Sequence, residues 1–170
     1  MRNLYLLLIV FVLSGCGSND TSDAVPEPQR KQIESAVINR FHEMIKYSEA
    51  GELENVLKYF EPSGPGSYID RGTRHASLQD MIDNLRATWR IRKQDYGVPV
   101  TKLYVISPVY VLLTSTSTLN TTSRDGVVFQ PRPWSVSILW MIKDGAWVIH
   151  SFQQFDGDMK PVEENQPAKK

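Results

Sequence analysis

Three spacings of apolar residues follow one another along the chain. They are continuous from Leu4 to Leu13, recur every three or four positions from Ile33 to Trp89, and alternate from Val100 to Phe155. In the middle part Ile33, Val37, Phe41, Met44, Ile45 and Ser48 share one stripe while Glu34, Arg40, Glu43 and Lys46 fall off it. This predicts a helix of about four turns ending near Gly51. Leu53, Val56, Leu57 and Phe60 predict a shorter second helix, closed by Pro62 and Gly64-Pro65-Gly66. Two short strands are expected over 67–70 and 73–76, around an Arg71-Gly72 turn. Ser77-Leu78-Gln79-Asp80 fits a capping box, in which the serine accepts a backbone N–H and the acid reaches back. It opens a third helix carrying Leu78, Met81, Ile82, Leu85 and Trp89.

After Tyr96-Gly97 and Pro99 the period drops to two. Strands are predicted over 100–107 and 109–120, then a turn at Arg124-Asp125-Gly126, then 127–130 leading into a last hairpin across Pro131 and Pro133, residues suited to an edge or a bulge. That hairpin, 134–155, turns at Asp144-Gly145, because a type I′ turn needs positive φ at both central residues. Simple pairing then sets Ile142 against Trp147, Trp140 against Ile149, Ile138 against Ser151, Val136 against Gln153 and Trp134 against Phe155. One face is almost wholly apolar, with Ser151 and Gln153 as its polar members. Buried, both require partners, so they are expected at the polar end of a cavity. The other face carries Leu139, Met141, Val148 and Phe152, too apolar for water alone, and predicts a homodimer or a docked envelope protein.

At 170 residues, 41% hydrophobic, the chain suits one domain plus tails. Lysine plus arginine and aspartate plus glutamate number 19 each, so nothing points to nucleic acid. The apolar run at the start, preceded by Arg2, is about half of what crosses a bilayer and reads as a signal peptide. Leu13-Ser14-Gly15-Cys16 resembles the bacterial lipobox, and Cys16 is the single cysteine. The resemblance implies cleavage after residue 15, lipidation of Cys16, and membrane attachment through more than one acyl chain. Gly17, where aspartate would signal inner-membrane retention, implies an outer-membrane, periplasm-facing address in a Gram-negative host. Residues 16–28 are expected to be a flexible tether, 29–155 the folded domain and 156–170 a disordered tail.

The order of two helices, short hairpin, third helix and long strands resembles the cone-shaped α+β fold of the nuclear transport factor 2 (NTF2)-like superfamily, with its SnoaL-like and ketosteroid isomerase-like members. Ala50-Gly51-Glu52-Leu53 is similar to the family's small-Gly-Asp-Leu step. Tyr68-Ile69-Asp70-Arg71-Gly72 followed by Leu78-Gln79-Asp80-Met81 is similar to its short hairpin and third helix. Lys143-Asp144-Gly145-Ala146-Trp147-Val148-Ile149 is similar to its closing strand. The resemblance implies three N-terminal helices packed on a curved, mostly antiparallel sheet, with a pocket between. Many relatives place histidines two and four positions after that isoleucine, where Ser151 and Gln153 stand here. His150, one residue out of step, is expected on the opposite face.

The candidate pocket residues are Tyr68, Asp70, Trp89, Trp140, Ser151 and Gln153. Asp70 has two readings: an acceptor of backbone N–H groups in its own Asp-Arg-Gly turn, which is favoured, or the base of a SnoaL-like isomerase, cyclase or hydrolase, as the resemblance implies. His42-Glu43 begins a helical HExxH whose fourth step is Lys46, so no metal site is expected, and no cofactor is implied. The preferred reading is a lipid-anchored envelope module that binds a small apolar ligand or a protein, more a binding domain than an enzyme.

Overall fold

The computed structural model describes residues 25–61, 66–158 and 160–162. The signal segment, Cys16 and the first part of the tether lie outside the described residues, as do residues 163–170. Helix α1 runs Glu27–Glu49 with a proline in its first turn. Proline is tolerated there because its missing N–H has no intrahelical partner anyway. The helix thus begins inside the stretch expected to be tether, and Val25 before it is already buried. Helix α2 covers Leu53–Leu57. Strands β1, Tyr68–Asp70, and β2, Thr73–His75, form the short hairpin. In α3, Leu78–Thr88, the serine half of the capping box is realised, the Ser77 hydroxyl accepting from the Asp80 N–H at 3.1 Å, while the Asp80 carboxylate reaches one residue further back and accepts from the Ala76 N–H at 3.1 Å. Among the described residues no helix is long and apolar enough to cross a membrane.

Strands β3, Ile91–Asp95, β4, Val100–Ser107, β5, Tyr110–Ser123, β6, Val128–Lys143, and β7, Ala146–Asp156, complete a sheet ordered β2-β1-β7-β6-β5-β3, with β4 also on the β5 edge. Every pairing is antiparallel except β1 with β7. The helices cover one face, where Val37 and Phe41 of α1 and Met81 of α3 join Val111, Leu113, Ile138, Trp140 and Ile149 in one core. The α+β expectation holds.

Four expectations are corrected. Strand β3 had no counterpart in the hydrophobic pattern. Residues 128–143 form the single long strand β6 rather than a lead-in followed by a hairpin arm, and the bulge expected at the prolines is present, Gln130 and Pro131 together opposing Asn120. Residues 156–158 and 160–162 do not leave the domain as a tail: Gly157 donates to the Pro133 carbonyl, Gln130 to that of Lys160 and Val162 to that of Val128, at 2.8–3.0 Å.

The fourth correction decides the site. Asp144 and Gly145 form the expected turn, with φ of 50° and 78°, and Ile142↔Trp147 and Trp140↔Ile149 pair as anticipated. The next pair is Leu139↔Ser151, so His150 is an extra residue on β7, and beyond it every side chain changes face. Gly66 permits this geometry. A Cβ there would sit 1.7 Å from the His150 carbonyl oxygen.

Candidate functional site

Between the helices and the inner face of β6 and β7 lies a chamber of about 70 Å³. Met44, Leu53, Val56, Phe60, Met81 and Trp134 give it an apolar wall. At one end Asp70, Leu85, Trp89, Gln94 and Gln154 border both this chamber and a larger cleft of about 280 Å³. They form a neck between a mostly apolar interior and a charged vestibule.

Local structure explains each polar group at the neck. Asp70 ends β1, beside Gln154 in the parallel β1–β7 ladder. Its Oδ2 accepts from Arg71 Nη2 at 3.2 Å, and its Oδ1 accepts from Gln154 Nε2 at 3.4 Å. Arg71 takes φ of 48° in the turn, which folds its guanidinium back over its neighbour. From β3, Gln94 places its Oε1 to accept from the Ser48 hydroxyl at 2.8 Å and the Tyr96 hydroxyl at 2.7 Å. Burial pushes the Tyr96 phenol well above its ordinary range, so it stays a neutral donor. The Tyr96 ring meets Trp134 edge-on with centroids 4.7 Å apart.

The deep wall of the cleft is an ion pair. Arg132 Nε and Nη2 both donate to Asp156 Oδ2, at 3.1 and 3.0 Å, and the two side chains are only 4% and 3% exposed. Arg71 Nε lies 3.8 Å from Asp156 Oδ1 and so links the pair to Asp70.

Of the residues expected to line the pocket, Asp70 and Trp89 do, and Trp89 is held by its indole N–H donating to the Gly51 carbonyl at 3.2 Å. Tyr68 is fully buried behind the chamber, its phenol pushed up by burial and then by the Glu61 charge. Trp140 packs in the core and borders neither space. Ser151 and Gln153 stand on the outer face, a consequence of the His150 bulge: the Ser151 hydroxyl donates to the Ser67 carbonyl at 2.9 Å, and Gln153 is exposed. For the same reason Phe152, expected on the outer face with Leu139, Met141 and Val148, lines the chamber. Sequence reasoning missed Ser48, Gln94, Arg132, Gln154 and Asp156. An exposed-looking β3 and a bulge disguised them.

None of the histidines borders either space. His42 is exposed, His75 lies 3.4 Å from Asp80, and His150 packs against Tyr110. Among the described residues no group of three or more His, Cys, Asp or Glu could hold a metal ion.

No protein-family model matches the sequence, and no curated protein matches it. Solved structures do. A hexachlorocyclohexane dehydrochlorinase (LinA) type 2 superposes with a TM-score of 0.65 at 8% identity, covering 85% of this chain and 98% of that one. LinA type 3 from Novosphingobium barchaimii LL02 gives 0.64 at 7% identity, covering 85% and 100%. An NTF-2 like protein of unknown function from Shewanella oneidensis MR-1 gives 0.57 at 8%, covering 73% and 99%. At these identities the likeness establishes the fold, which is NTF2-like, and leaves the chemistry to the site.

Proposed function

We propose that this domain is a small-molecule-binding module of the cell envelope, tethered to a membrane through a lipid on Cys16, whose ligand lodges an apolar body in the chamber beneath the helices. One observation carries the reading: the chamber is lined mostly by apolar side chains with a few polar groups, and Asp70, Gln94 and Gln154 among them also line the cleft. Ligand sites have this composition, a mostly apolar wall with a few convergent polar groups.

A second reading, turnover with Asp70 as base, is favoured by the position of that carboxylate at the neck. In the structure both its oxygens are engaged, by Arg71 and by Gln154. Native mass spectrometry of the protein isolated from its own source tests the first reading. A retained small molecule, lost in Val56→Phe, which fills the chamber, is the expected result. An unliganded mass in every preparation, with no mass gained on incubation with envelope extract, counts against it. The readings separate in Asp70→Asn: a binding module keeps its ligand unchanged, whereas an enzyme accumulates unconverted substrate. Membrane fractionation of Cys16→Ala tests the anchor, which fails as a proposal if wild type lacks acyl groups.

A further inference from the structure

At the neck Gln94 is only 8% exposed, and one end of its amide is left unused. Its Oε1 accepts from the Ser48 hydroxyl at 2.8 Å and from the Tyr96 hydroxyl at 2.7 Å, and those two hydroxyl oxygens are themselves 2.8 Å apart. This trio fixes the direction of the amide. Turned over, it would present a donor to two hydroxyls and leave one of their protons without an acceptor in the trio. Nε2 therefore faces away. It has no hydrogen-bond partner among the described residues, yet it is not one of the unpartnered polar atoms sealed from solvent, which include the Trp134 and Trp140 indole nitrogens. A side chain more than nine-tenths buried thus holds a donor open to the two spaces it borders. Water or a ligand must complete it.

The two spaces differ in what they can take. A dry cavity of about 150 Å³ holds one benzene ring, so the chamber, at about 70 Å³, has room for a chain of about three carbons and not for a ring. The cleft, at about 280 Å³, has room for a ring. Gln94 borders both, so its free donor stands where a ligand passes from one to the other. An acceptor at that point lies between chain and body, which makes it a carbonyl inside the molecule and not a terminal acid. Resting on the small-molecule reading above, we infer that the ligand is a ketone, ester or amide whose carbonyl oxygen accepts from Gln94 Nε2, with a short aliphatic chain in the chamber and a ring-sized body in the cleft.

The test is equilibrium dialysis of the full chain in detergent at pH 7, referenced to protein-free detergent, with butyrophenone, butylbenzene and acetophenone. Butyrophenone carries a carbonyl between a phenyl ring and a propyl chain; butylbenzene replaces that carbonyl by CH₂, and acetophenone keeps it but ends in a methyl. Gln94→Met, which leaves Ser48 and Tyr96 bonded to each other, is expected to weaken butyrophenone at least ~10-fold, the equivalent of ~1.4 kcal/mol, and butylbenzene less than ~3-fold. Should that variant fail to fold, Gln94→Glu keeps an acceptor for both hydroxyls and, ionised at pH 7, offers no donor, so the same ratio is read from it. Val56→Phe is expected to bring butyrophenone down to the affinity of acetophenone while leaving acetophenone within ~3-fold. Equal losses of ketone and hydrocarbon in the Gln94 variants, or no loss of either, overturn the inference and leave the chamber reading intact where Val56→Phe still weakens both. Butyrophenone and butylbenzene unchanged in Val56→Phe, or no probe bound by wild type, overturns the chamber reading and this inference with it.

Discussion

Replacing Asp156 by alanine removes the sole hydrogen-bonding partner, among the described residues, of a guanidinium that is only 4% exposed. At 4% exposure the Arg132 charge is left buried without its partner. Breaking such a pair costs about 3–5 kcal/mol, mostly the penalty of the abandoned charge. Arg71 adds little, because it keeps Asp70 at 3.2 Å and is 40% exposed. Against a total stability of ~5–15 kcal/mol the loss is large, and at roughly 3–4 °C per kcal/mol the melting temperature should fall by ~10–20 °C. Urea unfolding followed by tryptophan fluorescence measures it. The double variant Arg132→Met with Asp156→Leu supplies the control: it removes both charges and keeps the volume, and should return to within ~2 kcal/mol of wild type. An Asp156→Ala loss below ~1 kcal/mol, or a double variant no better than the single, would refute the reasoning.

Three other outcomes follow from local geometry. Gly66→Ala drives a methyl into the His150 carbonyl and should cost at least ~2 kcal/mol by urea unfolding, with an unchanged midpoint showing that β1 does not need that approach. Burial raises the phenols of Tyr59, Tyr68 and Tyr96 above the ordinary value near 10. Their stabilising contribution is therefore complete below pH ~10 and is lost as pH rises further. Ultraviolet titration should show these three ionising only with unfolding, and full ionisation near pH 10 with native circular dichroism intact would contradict it. On the outer face Tyr104 and Ile106 are exposed beside Leu139, Met141 and Val148. Sedimentation should find a dimer burying at least ~1,000 Å², abolished by Ile106→Lys with Met141→Lys, and a monomer at high concentration sinks the proposal.

What the sequence revealed and what it hid have physical causes. The Asp144-Gly145 turn and the Ser77 cap were legible because each is decided by backbone chemistry within four residues. The His150 bulge was not. With or without it, β7 offers one phenylalanine to the inside, Phe152 or Phe155, so hydrophobic alternation is degenerate there. The choice is made by distant partners, the Arg132–Asp156 pair and the Ser67 carbonyl that receives Ser151. Strand β3, Ile-Arg-Lys-Gln-Asp, carries one apolar residue and no period. It is held by its ladder to β5 and by Gln94 meeting Ser48 and Tyr96 across the core. Fold and Asp70 came from local patterns. The rest of the polar site came from long-range pairing.

The methionines allow the central claim to be tested residue by residue. Met44 and Met81 line the chamber, whereas Met141 lies on the outer face. In ¹³C-methyl-methionine spectra of the full chain titrated with butyrophenone, the Met44 and Met81 resonances should shift saturably together while Met141 stays still. Movement of Met141 alone, or no shift of Met44 and Met81 at saturating ligand, would contradict a binding chamber beneath the helices.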